Sequence, residues 1–407
     1  MTQIRRSLVL IGELPEPFGG VAMHCDNVCR ELSRRGVDVH FLDSEPGSVK
    51  HLPPLASYSR VTGRYVRGGL SALRSPRVVC SWFALVFPVA HKIGPRASLQ
   101  ALVLGHRTFA TARRAGTRSI VAHHAGELGL SALVAARALD AKVTVFIHGS
   151  EWTHPTWNQK LSAIVAGRAH RIIANSSYTR RLCMDATGRT DISVISPGVD
   201  HSRFHHSCRT PECRDDPIVL FLGAMHPRKG ADVLARAIPL LHDLPARFMF
   251  AGPSGPLEPE VRSIITGSGV QDRVDFRGQL SSEELPRVLA EAEIFVFPTV
   301  WGTEGFGMVA AEAMACGVPV VASRIGAIPE VVLDEETGLL VEPGDPVDLA
   351  SKLRLLIGDP VRRRCLGRAG TRHVQQYRWD RLADELVEEL NADAESATLS
   401  AQNRLAT

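Results

Sequence analysis

Lys229 is the only lysine between Lys160 and Lys352 in a chain that otherwise uses arginine, and it closes the segment Gly223-Ala-Met-His-Pro-Arg-Lys-Gly230. The segment follows a strand-like run and precedes a helical one. Free backbone N–H groups and the charges of Arg228 and Lys229 can therefore converge there on a diphosphate. A solvated turn lysine is the competing reading. A second cluster lies in Pro298-Thr-Val-Trp-Gly-Thr-Glu-Gly-Phe-Gly-Met-Val-Ala-Ala-Glu312, where Glu304 sits in a glycine-rich loop and Glu312 on the helix that follows. Glu312 stands among Ala310, Ala311, Ala313, Met314 and Ala315. A bare charge is costly in such surroundings, so a hydroxyl-rich partner such as a ribose suits it better than plain solvation of the helix. Gly305, Gly307 and the first helical N–H groups add backbone donors for an anionic oxygen. Neither Gly19-Gly20 nor Gly223 begins a Gly-x-Gly-x-x-Gly run, and no Gly-Lys-Ser/Thr motif is present. Redox and ATPase readings fall accordingly.

The elements that must position these residues alternate between strand and helix. Leu8–Ile11, Val37–Leu42, Ser119–Ala122, Val143–Ile147 and Arg171–Ala174 read as buried strands, with a helix ending at Arg35 and Gly36 after the first. A second series begins at Ile218–Leu222 and continues through Arg247–Ala251, Val274–Phe276, Glu293–Pro298 and Val318–Ala322. Between them come a helix using Val233, Leu234, Ala237, Ile238 and Leu241, a helix capped by Ser281 and Glu284, and a helix over Ala310–Ala315. Strand–helix repetition predicts parallel sheets, which bind ligands beyond the carboxyl ends of their strands. Gly19-Gly20, His148-Gly149 and Asn175-Ser176 occupy such ends in the first half.

With 407 residues, 44% hydrophobic and 22% charged, the chain is too long for one core, and two α/β domains are expected. The expected division is an N-terminal domain over 1–204, a linker over 205–217 and a C-terminal domain over 218–375. An amphipathic helix over 376–395 and a tail over 396–407 complete it. The formal charge of +4 hides an asymmetry: Pro46 through Gly126 holds no acid and twelve basic residues, leaving 35 basic against 43 acidic residues elsewhere. Such a stretch suits an anionic partner or a solvated arginine-rich surface. The apolar run Val78–Ala90 can touch a bilayer but is too short to cross one. The eight cysteines form no disulfide framework, which points to a reduced, cytosolic protein, and Cys208 and Cys213 with His201, His205 and His206 read as loop residues in preference to a zinc site.

Taken together, these residues resemble the retaining, two-domain GT-B glycosyltransferases of family 4, also called group 1. The resemblance rests on Gly19-Gly20, His148-Gly149, Pro197-Gly-Val-Asp200 with Phe204, Arg228-Lys229-Gly230, Glu304-Gly-Phe-Gly307 and Glu312-Ala-Met-Ala-Cys-Gly317-Val-Pro319. Gly326, Glu330 and Thr337 through Asp345 extend it. It implies two Rossmann-like domains with an interdomain cleft, the donor held mainly by the C-terminal domain and the acceptor by the N-terminal one. Lys229 would then meet the diphosphate, Glu312 the ribose, and Glu304 the transferred sugar, with His148 beside that sugar. Gly20, Arg228, Gly305, Phe306 and Gly307 would line the donor. The family usually places arginine after the glycine corresponding to Gly223, where this chain has Ala224; Arg228 is expected to replace that contact.

The activity implied is transfer of a sugar, with retention, from a nucleoside diphosphate to an acceptor hydroxyl, with a UDP-sugar favoured and no metal or other cofactor required. The acceptor expected is a small polar bacterial metabolite. The alternative is a lipid-linked or cell-envelope intermediate, met at the inner face of the membrane through basic residues between 50 and 118. A nucleotide-sugar-binding protein without catalysis is the reading outside enzymology. Specific nucleic-acid recognition is not expected, since the basic stretch has no aromatic or zinc-finger frame; the oligomeric state is left open.

Overall fold

The computed structural model describes residues 7–12, 20–43, 59–60, 75–86, 90–153, 157–206 and 215–391. Gly19, Cys208, Cys213, most of the expected linker and the tail over 396–407 lie outside the described residues. The chain divides into two compact units, Met1–Gly198 with Trp379–Thr407, and Val199–Arg378.

Seven parallel strands form the sheet of the first unit: β1 (Ser7–Gly12), β2 (Asp38–Asp43), β3 (Ser59–Arg60), β4 (Ser119–Ala122), β5 (Lys142–Ile147), β6 (Arg171–Ala174) and β7 (Ile192–Val194). Their order is β3-β2-β1-β4-β5-β6-β7, so the direction of winding reverses between β1 and β4. Strand residues such as Val9, Ile11, Ile120, Val145 and Ile172 are fully buried, as expected for a parallel sheet covered on both faces. Helices Ala90–Ala115 and Glu127–Leu139 share one core with this sheet. Gly105 lets them approach closely, because a Cβ there would lie 3.0 Å from a Val134 methyl. Residues 379–391 form a helix that returns to this unit: Arg35 reaches the Asp384 carboxylate at 2.6 Å and the Asp380 carbonyl at 2.6 Å, while Ser193 Oγ donates to Glu389 at 2.5 Å.

The second unit holds β8 (Ile218–Leu222), β9 (Arg247–Ala251), β10 (Val274–Gly278), β11 (Ile294–Phe297), β12 (Val320–Ser323) and β13 (Gly338–Val341), in the order β10-β9-β8-β11-β12-β13 and parallel throughout. Its winding reverses between β8 and β11. The helix expected through Leu241 stops at Ala237 and continues as a 3-10 turn over Ile238–Leu241. Pro239, which lacks an N–H and crowds the preceding turn, accounts for the change. The capping pair is formed: Ser281 N–H donates to Glu284 at 2.8 Å, and Glu284 N–H to Ser281 Oγ at 3.2 Å. The chain enters and leaves this unit side by side, with Val199 N–H bonded to the Tyr377 carbonyl at 3.0 Å. Phe204 is buried in its core.

Candidate active site

The reversal between β8 and β11 leaves a crevice beyond their carboxyl ends, and the loops after those two strands carry the residues singled out above. Pro227–Lys229 forms a 3-10 turn, with the His226 side chain accepting from Arg228 N–H at 3.3 Å. Gly230 follows with φ +70°, and a Cβ on it would fall 1.9 Å from the Pro298 carbonyl oxygen, so only glycine fits. Thr299 Oγ1 at 2.7 Å and Val300 N–H at 3.0 Å both donate to the Arg228 carbonyl. The two loops are thereby laced together.

That lacing sets Arg228 and Lys229 against Glu304. Lys229 Nζ donates to Glu304 Oε1, and an Arg228 guanidinium nitrogen reaches the same oxygen at 3.2 Å. Two cations on one carboxylate leave the group with one net positive charge, as a site for a diphosphate requires. The Lys229 ammonium also lies 5.4 Å from the centre of the Phe297 ring. Burial lowers the Lys229 pKa; the Glu304 charge opposes the shift and Arg228 adds to it. On the other side, Ala327 N–H bonds the Glu304 carbonyl at 3.0 Å, beside Gly326 at φ +63°.

Gly307, at φ +92°, starts the helix Met308–Ala315 that carries Glu312. Glu312 is half-buried among neighbours that are fully buried, and its carboxyl is pushed up to about 7. Burial is the main cause, with Arg203 pulling the value down and Asp200 pushing it up. Its charged neighbours are therefore Asp200 and Arg203, from the segment after β7. Gly305 is buried, and Phe306 is a core side chain packed edge-to-face on Tyr377 at 5.0 Å.

His148 and Gly20 belong to the first unit, where Gly20 begins the helix Gly20–Arg34. His148 follows β5 and its N–H donates to both oxygens of buried Glu151 at 3.1 Å. Its ring stands 5.1 Å from that of His24 and 6.2 Å from that of His123. His123 follows β4 as His148 follows β5, so the rule that pointed to one histidine also points to the other, which the sequence reading passed over. His24 lies on the helix after β1, where an isolated histidine gives no signal. His201, in the second unit, bonds the Tyr377 carbonyl at 3.1 Å.

Comparison with known proteins places both halves of the chain. Residues 18–203 match the family described as Glycosyltransferase Family 4, and residues 216–359 that described as Glycosyl transferases group 1. A GDP-mannose-dependent alpha-(1-6)-phosphatidylinositol monomannoside mannosyltransferase of Mycolicibacterium smegmatis is 33% identical, over 77% of this chain and 77% of that protein. A D-inositol 3-phosphate glycosyltransferase of Geodermatophilus obscurus is 29% identical over 94% of this chain and 87% of its own length. Among solved structures, a sucrose-phosphate synthase from Thermosynechococcus elongatus shares the fold at a TM-score of 0.75 and 23% identity, covering 97% of this chain and 100% of its own. Anabaena HepE in complex with UDP and glucose does so at 0.73 and 20%, covering 94% and 99%. The chain belongs to the family 4, or group 1, glycosyltransferases, enzymes of the GT-B fold that move a sugar from a nucleotide-sugar donor to an acceptor hydroxyl.

Proposed function

We propose that this enzyme transfers a sugar from a UDP-sugar to a hydroxyl of a small polar metabolite, with retention at the anomeric carbon. The observation that carries the donor assignment is the group of Arg228 and Lys229 on Glu304 at the winding reversal of the second sheet. In this reading Lys229 and Arg228 hold the diphosphate and neutralise the charge that grows on it as the glycosidic bond breaks. Glu304 turns to hydroxyls of the transferred sugar, and Glu312 accepts from the ribose. Gly305 and Gly307 admit the donor to the backbone, Phe306 supports that loop from beneath, and His148 and Gly20 serve from the first unit. The leaving diphosphate takes the acceptor proton, so orientation and charge carry the rate and no side-chain nucleophile is needed.

Support for a small polar acceptor comes from the relatives named for D-inositol 3-phosphate. The relative named for a phosphatidylinositol mannoside favours the lipid-linked alternative. So does the helix Pro76–Leu85, where Phe83 is 52% exposed in a section without acids. A mass-spectrometric screen of UDP-, GDP- and TDP-sugars against inositol phosphates, other small polyols and phosphatidylinositol in vesicles decides between them. Product on a soluble acceptor from a UDP-sugar, with the α or β configuration of the donor kept, is expected. Product only on the lipid, or only from a GDP-sugar, would overturn the corresponding part.

A further inference from the structure

We propose that a cavity at the amino ends of β4, β5 and β6 is a binding site for an organic phosphate, at the opposite end of the first sheet from His148. The cavity measures about 1080 Å³. The helices Pro76–Leu85 and Glu127–Leu139 wall it, together with residues that lead into the three strands: Arg118 before Ser119, Asp140 before Lys142 and His170 before Arg171. Arg77, Arg137 and Arg168 join Arg118 around it. The section from Pro46 to Gly126, which holds no acid, supplies two of these four guanidinium groups, Arg77 and Arg118.

The charges around the cavity do not balance. Among the described residues Asp140 is the one acid on its wall, and that exposed carboxylate lies 4.0 Å from Arg118, at the limit of an ion pair. Arg168 donates to the Ile164 carbonyl of its own helix at 3.4 Å. Among the described residues, the side chains of Arg77 and Arg137 meet no hydrogen-bond or ion-pair partner. Arg137 and Arg168 stand in the last turns of their helices, where each offsets about half a negative charge. Arg77 stands in a first turn without acids, where the helix adds to its charge. Four cations against one carboxylate and two helix ends leave roughly two positive charges, the complement of a phosphate monoester at neutral pH. Guanidinium groups also match phosphate oxygens with paired donors. Leu133, Ala136 and Val143 form an apolar floor. The volume exceeds what phosphate itself fills and reaches the roughly 300–1,000 Å³ of sites for small organic molecules. A phosphate on an apolar body therefore fits better than the bare ion.

The test is titration calorimetry of the full-length protein with 1-naphthyl phosphate, which joins a phosphate monoester to an apolar body, and with inorganic phosphate, which lacks the body. Saturable binding of 1-naphthyl phosphate, about tenfold tighter than that of inorganic phosphate, is expected. Arg118→Gln and Arg137→Gln should each weaken it about five- to tenfold, with UDP affinity unchanged. Lys229→Ala should weaken UDP and leave 1-naphthyl phosphate unchanged, which separates this site from the donor site. Sedimentation with vesicles of phosphatidylcholine and phosphatidic acid identifies the source of the phosphate. Pelleting that Arg118→Gln abolishes assigns it to a lipid headgroup, and a protein that stays in solution assigns it to a free metabolite. Absence of saturable binding, unchanged affinity in both arginine variants, or loss of 1-naphthyl phosphate binding in Lys229→Ala would overturn the site.

Discussion

Arg228 and Lys229 share a single oxygen of Glu304, yet they differ in what removal should cost. Lys229 is well buried beside Phe297, so Lys229→Ala should lower kcat by about 10²–10³, the range seen when one donor to a developing charge is lost. Arg228 is more exposed and is the residue available to replace the contact missing at Ala224. Arg228→Ala should lower kcat/KM by about tenfold, and unchanged efficiency would defeat that compensation. Glu312 gives a pH test. Its folded pKa of about 7 lies above the ordinary carboxyl value, so the native state keeps a proton that the unfolded chain has lost. Its contribution to stability is therefore full below the ordinary value and lost as pH rises to about 7. In the proposed contact the ribose hydroxyls donate to the ionised form, so UDP should bind more tightly at pH 8 than at pH 6, and Glu312→Gln should flatten that slope in titration calorimetry. Glu312 was legible because a bare charge is costly among alanines, Lys229 because it is a lone lysine at a strand-to-helix turn, and Glu304 because it sits in a glycine-rich loop. Asp200 and Arg203 as the charged neighbours of Glu312 were not, since they lie more than a hundred positions away and only the fold adds them.

At the scale of elements, short apolar runs between polar ends identified β8 and β11 to within a residue, because a strand buried on both faces tolerates little else. Helix Ala90–Ala115 was not legible: the apolar run Val78–Ala90 ends where it begins and no helix was expected after it, yet the helix runs through Gly94 and Pro95 and packs in the core of the first unit. Tertiary burial there outweighs local preference. The loop after β8 depends on Gly230, and Gly230→Ala forces both a left-handed alanine and an overlap with the Pro298 carbonyl. A loss of about 3 kcal/mol or more is expected, roughly 6–12 °C in Tm by calorimetry, together with weaker UDP binding as Arg228 and Lys229 shift. A Tm equal to that of the native protein would show that the two loops are not fastened there.

Over the whole molecule, the two sheet units were visible in the sequence as two strand–helix series, whereas the point of division was not. Apolar periodicity stops near residue 205, but Val199 and Phe204 already belong to the second unit through the Tyr377 carbonyl and its core. Removal of residues 379–407 should destabilise the first unit selectively, because Leu382, Ala383 and Leu386 are buried and Arg35 loses both its partners on that helix. Hydrogen exchange should show faster opening across β1 and β2 with β8 and β11 unchanged; equal protection in both units would refute this. The same helix has a consequence during synthesis. Its first residue, Trp379, packs 5.4 Å from His24, yet all 180 residues of the second unit must leave the ribosome in between. At about 5–20 residues per second that is a wait on the order of 10–40 s. Through that interval the nascent first unit carries an uncovered apolar face, which makes it a client for chaperones until the last helix arrives.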